Sequence, residues 1–103
     1  MEIHTRKIGD VHVLDLSGKI TLGSATRAIR HTVSNLLVDG GRKIILNLKD
    51  VNYIDSSGIG ELLRTYTTVT GEGKQLKLMN LTSKVRELLV ITKLLTVFSG
   101  FRE

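Results

Sequence analysis

The chain has 103 residues, 41% hydrophobic and 24% charged, with a formal net charge of +5 at pH 7 and a pI near 9.8. This length and composition give one domain, 1–103, with enough apolar surface for a core, and the lack of cysteine excludes disulfides and thiolate zinc sites. No apolar run approaches the ~18–20 residues that span a bilayer, and MEIHTRKIGD holds no apolar signal segment, so a cytoplasmic protein without membrane insertion is expected; a monomer is expected as well.

Residues 2–8 and 11–16 read as two strands joined by a Gly9-Asp10 turn, with Gly18 closing the second. From Ser24 the period changes. Ala25, Ile29, Val33, Leu36 and Leu37 fall at i, i+4, i+8, i+11 and i+12, one face of a helix. Ser24 is positioned to cap its start and Gly40-Gly41 to end it, with Arg27, Arg30 and Ser34 on the opposite side. The apolar run at 43–48 reads as a buried parallel strand, followed by a polar loop at 49–53. Ile59, Leu62, Leu63, Tyr66 and Val69 mark a second helix that stops near Gly71 and Gly73. Residues 75–79 read as a further strand. Ser83 then caps a third helix with Val85, Leu88, Leu89 and Thr92 inward, and 94–98 offers a last short strand. Strands alternating with single helices predict an α/β domain: a mixed, mostly parallel sheet of four to five strands with helices packed against it.

The segment YIDSSGIGELL, residues 53–63, places two serines and two glycines at a helix start. Asp55, Ser56 or Ser57 can each satisfy a free helix N–H, contributing about 1 kcal/mol. Capping does not account for Gly58 and Gly60, since a helical glycine costs roughly 1 kcal/mol against alanine. Two of them imply that the sheet or a partner approaches this backbone closely.

Enzymatic readings fail on the motifs. A nucleophile elbow needs glycine at 54, where Ile54 stands, and a histidine after the serine, whereas His4, His12 and His31 all precede it. Gly71-Glu72-Gly73-Lys74-Gln75 lacks the spacing and hydroxyl of a P-loop, and Leu63 occupies the third glycine position of a dinucleotide fingerprint. The histidines have no metal-ligand spacing. No intrinsic catalysis, cofactor or metal is therefore expected. Direct nucleic-acid binding is not expected either, because the basic residues are dispersed and Tyr53, Tyr66, Phe98 and Phe101 are too scattered for a stacking platform.

What survives is a serine at a positive helix end, suited to an enzyme that brings the chemistry to it. A phosphate there carries about −1.5 to −2 charges, which the helix end tolerates but a partner packed beside Asp55 does not. A Ser57 hydroxyl turned back to the Gly60 N–H would be occupied as a cap, leaving Ser56 freer to meet a kinase.

The chain resembles the STAS domains, specifically bacterial anti-sigma factor antagonists. The resemblance runs through Leu16-Ser17-Gly18-Lys19-Ile20, the buried strand at 44–48, VNYIDSSGIGELL, the helix around KVRELL and the ending ITKLLTVF. It implies a single STAS-like fold in which Ser56 is the phosphoacceptor. It further implies that the unphosphorylated form binds an anti-sigma factor, itself a serine kinase, and so releases a sigma factor. Phosphorylation ends the interaction and a PP2C-type phosphatase restores it. The partner is expected to cover Asp55, Ser57, Gly58 and Gly60 and the exposed side of the second helix, with Glu61, Arg64 and Thr65. Thr21 belongs to the same surface, and stands where many members carry an aspartate. The alternative is a STAS regulatory or scaffold module of a transport or stress-sensing complex. The DSSG serine favours the phospho-switch.

Overall fold

Residues 1–91 are described by the computed structural model. β1 (Glu2–Ile8) folds back antiparallel onto β2 (Val11–Ile20) through a turn in which Gly9 adopts φ +60°. β2 pairs in parallel with β3 (Lys43–Ile54), and β3 in parallel with β4 (Gln75–Met79), giving the order β1-β2-β3-β4. α1 (Ser24–Val38) connects β2 to β3, α2 (Ser56–Gly71) connects β3 to β4, and α3 (Ser83–Ile91) follows β4. The architecture is the predicted α/β class, with a mixed and mostly parallel sheet. The short strand expected at 94–98, and Thr92, lie outside the described residues.

The apolar periodicities explain where the helices lie. Leu14, Leu16 and Ile20 of β2 and Ile44, Leu46, Leu48 and Val51 of β3 are sealed beneath Ile29 of α1 and Leu62 and Val69 of α2. Each such side chain contributes roughly 1.5–3 kcal/mol on burial, whereas a helix cap contributes about 1. The apolar faces, not the helix ends, therefore decide the layering. α1 and α2 also pack against each other.

Two strands run further than expected. β2 does not end at Gly18: the register slips between Asp15 and Ser17 and again between Gly18 and Lys19. Gly18 sits at the second slip with φ +98°, so glycine here permits a bulge rather than stopping the strand. Residues 49–53 are likewise strand, not loop, because the prolonged β2 supplies a ladder: Ser17 opposes Asp50, Gly18 Val51, Lys19 Tyr53 and Ile20 Ile54. Val51 and Ile54 are buried while Asp50, Asn52 and Tyr53 face solvent.

The helix starts also differ in detail. Ser24 is the first residue of α1 and not its cap. The Thr26 hydroxyl accepts from the Gly23 N–H (3.2 Å) and donates to the Gly23 carbonyl (3.0 Å). Ser83 similarly begins α3, and Thr82 Oγ1 accepts from the Val85 N–H at 3.3 Å. In both cases the hydroxyl with the right reach, not the one nearest the predicted boundary, meets the free N–H.

A polar chain ties the strands together. Arg6 donates to Asp15 through Nε (2.7 Å) and Nη2 (3.2 Å), Asn47 Nδ2 donates to Asp15 Oδ1 (2.8 Å), and Asn80 Nδ2 donates to Asn47 Oδ1 (3.1 Å). These bonds, Arg6 first and Asn47 second, hold the Asp15 carboxyl below its ordinary range. A depressed carboxyl pKa stabilises the fold above the unfolded value of about 3.9 and stops doing so as pH falls through the folded value. Asp15→Asn is therefore expected to melt below the parent at pH 7, with the gap closing as pH drops below about 3.9. Thermal melts across that range check it, and a gap as wide at the acid end as at neutrality would refute it.

Candidate functional site

The opening motif sits where β3 hands over to α2. Ile54 is buried as the last strand residue, and Asp55 follows in an extended conformation before the helix begins at Ser56. Asp55 Oδ1 accepts from the Gly58 N–H at 2.7 Å, so among the three candidates Asp55 is the cap. Its Oδ2 accepts from the Leu22 N–H at 3.3 Å, and its own N–H donates to the Ile20 carbonyl at 3.3 Å. One residue thus anchors the start of α2 to the end of β2 and to the loop at 21–23.

The expected cap bond from Ser57 to Gly60 is absent: Ser57 is the second residue of α2, and Asp55 caps the helix through the Gly58 N–H. Neither serine hydroxyl bonds to another described residue. Exposure separates them instead: Ser56 is exposed and Ser57 half-buried.

The two glycines have different reasons. Gly58 is buried, and a Cβ there would overlap the Ile20 carbonyl oxygen and lie 2.7 Å from Ile54 Cγ1. Of the two expected alternatives, sheet or partner, it is the sheet that approaches Gly58, and as a buried residue it departs from its expected place among those a partner covers. Gly60 is exposed, with nothing within 4 Å of an added Cβ.

Glu61 and Thr65 also depart from expectation. The sequence puts both on the exposed side of the second helix, yet they are 4% and 3% exposed. α1 lies over them. Arg30 Nη2 donates to Glu61 Oε1 at 2.7 Å, and Thr65 Oγ1 donates to Glu61 Oε2 at 3.4 Å. The hydrogen bond to Glu61 raises the Arg30 guanidinium above its ordinary value. Arg64 does face solvent, and Thr21 is half-buried in the loop that Asp55 anchors. Ser57, Gly60 and Arg64 line one shallow depression together with Arg30 and Leu22. Leu22, 76% exposed, was missed. Its signal was an apolar residue between Gly18 and Ser24 that belongs to neither period.

Among the described residues no group of three or more His, Asp or Glu can hold a metal ion, and no helix is long and apolar enough to cross a membrane. Residues 2–103 match the family model of the STAS domain. The chain belongs to the STAS family. It is 35% identical over 85 residues to the anti-sigma-B factor antagonist of Bacillus subtilis (strain 168), covering 82% of this chain and 75% of that protein. The structure of an anti-sigma factor antagonist from Mycobacterium paratuberculosis matches with a TM-score of 0.80 at 19% identity, over 97% of this chain and 83% of that one. The phosphorylated form of the Bacillus cell fate determinant SpoIIAA matches with a TM-score of 0.74 at 20% identity, over 99% and 92%. At such identities the structural likeness establishes the STAS fold alone.

Within this STAS domain the Asp55 carboxylate holds two backbone donors, and its loss frees both. Asp55→Ala is expected to cost about 1–2 kcal/mol, and Asp55→Asn less than half of that. Thermal unfolding measures both, and an unchanged melt for the alanine variant would show that the anchor is dispensable.

Proposed function

We propose that this STAS domain is an anti-sigma factor antagonist switched by phosphorylation of Ser56. Its unphosphorylated form binds an anti-sigma factor that is also a serine kinase, and so frees a sigma factor. The kinase transfers the γ-phosphoryl group of ATP to Ser56 Oγ, whose proton passes to a base of the kinase. A PP2C-type phosphatase returns the hydroxyl by hydrolysis. The domain is substrate and binding partner rather than enzyme, acts as a cytoplasmic monomer, and makes no direct contact with nucleic acid.

The observation that carries the proposal is the Ser56 hydroxyl, exposed and without a hydrogen bond to another described residue, on a turn that Asp55 holds in place. An enzyme can reach it without unfolding anything. The phosphate then adds about −1.5 to −2 charges beside Asp55 while the first N–H groups and dipole of α2 accommodate it. The name of the Bacillus subtilis relative supports the same reading. The test is phosphosite mapping after incubation with an anti-sigma serine kinase and ATP. Label on Ser56, lost in Ser56→Ala, is expected; label chiefly on Ser57, or retained in full by Ser56→Ala, overturns it.

The partner is proposed to lie over Ser56, Ser57, Gly60 and Arg64, next to Thr21. Gly60 opens onto free space, so valine there fits the isolated domain and obstructs only a docked partner. Gly60→Val is expected to weaken partner binding more than about tenfold, ~1.4 kcal/mol, while the domain stays folded. Unchanged affinity in titration calorimetry would show that the partner does not reach this turn.

A further inference from the structure

The depression beside Ser57 does not stop at the serine. It continues between α1 and α2, past Arg30 and Arg64, and adjoins a second hollow on the outer face of α1 that Arg27 lines together with Arg30. Arg27 and Arg64 are exposed, and among the described residues neither has an ion pair. The carboxylate within the groove, Glu61, is buried and engaged by Arg30. At the mouth stands Leu22, an exposed apolar side chain whose backbone the Asp55 carboxylate holds in position.

We infer that the groove between α1 and α2, together with the adjoining hollow on the outer face of α1, is the docking site for an acidic segment of a protein partner, with Arg27 and Arg64 paired to its carboxylates and Leu22 seated in an apolar contact. This rests on the phospho-switch reading of Ser56 and adds the chemistry of the partner. The guanidiniums of Arg27, Arg30 and Arg64, set against Asp55 and Glu61, leave this surface one net positive charge. A phosphate on Ser56, at about −1.5 to −2, turns it negative. An acidic partner attracted before phosphorylation is then repelled after it. Guanidinium pairs with phosphate as readily as with carboxylate, so nucleic acid and anionic lipid are the competing occupants. Among the described residues no Tyr or Phe lines the groove to form a base-stacking platform, and the one imidazole, His31, lies in the outer hollow of α1. A single leucine at its mouth is far less than the apolar helix face that seats a protein on a membrane.

The test is an amide NMR titration of the 15N-labelled full chain with a Glu-rich synthetic peptide interrupted by Leu. Shifts are expected at Leu22, Arg27, Gly60 and Arg64, with affinity falling about tenfold when salt shrinks the Debye length from ~30 to ~3 Å. The double variant Arg27→Glu/Arg64→Glu is expected to lose at least about tenfold. Lys77→Glu, which reverses an exposed charge on β4, serves as the control and should stay within about twofold. The variants alter exposed side chains only, and their own spectra report folding. No shifts, shifts elsewhere, or groove shifts with duplex DNA or anionic vesicles but not with the peptide would overturn the inference. Kinase binding by the same variants separates this idea from the function. Tight binding unaffected by Arg27→Glu/Arg64→Glu removes the groove alone. A groove that takes the peptide in a protein that no anti-sigma kinase phosphorylates removes the switch and leaves an acidic-partner site.

Discussion

Gly58→Val is expected to destabilise the domain by about 3 kcal/mol or more, at the upper end of overpacking costs. The new Cβ would overlap a backbone atom, the Ile20 carbonyl oxygen, which cannot rotate away as a side-chain tip can. That carbonyl also accepts from the Asp55 N–H, so moving it loosens the cap as well as the sheet. At ~4–8 °C per kcal/mol for a domain of this size, the melting temperature should fall by more than about 12 °C. Gly60→Ala provides the opposite result two residues on. With nothing near its added methyl, it should gain up to about 1 kcal/mol from helix propensity alone. Calorimetric melts of the pair measure both. Similar behaviour of the two variants would mean that α2 does not rest on the end of β2 as described.

Phosphorylation of Ser56 is expected to lower partner affinity by about 100-fold, ~2.7 kcal/mol. The phosphate combines like-charge repulsion with Asp55, desolvation at a covered surface and loss of the free hydroxyl. Ser56→Asp should reproduce only part of this, about tenfold, because one carboxylate carries less charge and is smaller. Ser56→Ala should bind as the parent does and resist release by ATP. Because Ser56 is exposed and its hydroxyl bonds to no other described residue, the melting temperature of the phosphorylated domain should stay within about 4 °C of the parent. The paired readout matters. A fall in affinity accompanied by a large fall in stability would place the effect on folding, and unchanged affinity of the phosphorylated domain would remove Ser56 as a switch.

The order of strands and helices was legible in the sequence because its causes are local. The stripe from Ala25 to Leu37, the glycines behind the first two helices and the alternation around the Gly9-Asp10 turn each report on neighbours a few residues away. The same locality placed Ser56 and Ser57 at a helix start. What escaped depends on elements that meet only in the folded chain. Residues 49–53 become strand because β2 continues past Gly18 through a bulge and offers them a ladder, which their own polarity does not announce. Asp55 wins the cap because its second oxygen also meets Leu22, 33 residues earlier in the chain. Gly58 is compelled by the Ile20 carbonyl and Gly60 is not, although both looked alike in the motif. Glu61 and Thr65 are buried because α1 crosses that side of α2 and brings Arg30 to the carboxylate. Helical periodicity separates an apolar stripe from a polar one. It holds no information about a second helix lying over the polar stripe, and only the packing of α1 against α2 decides which polar residues still face solvent.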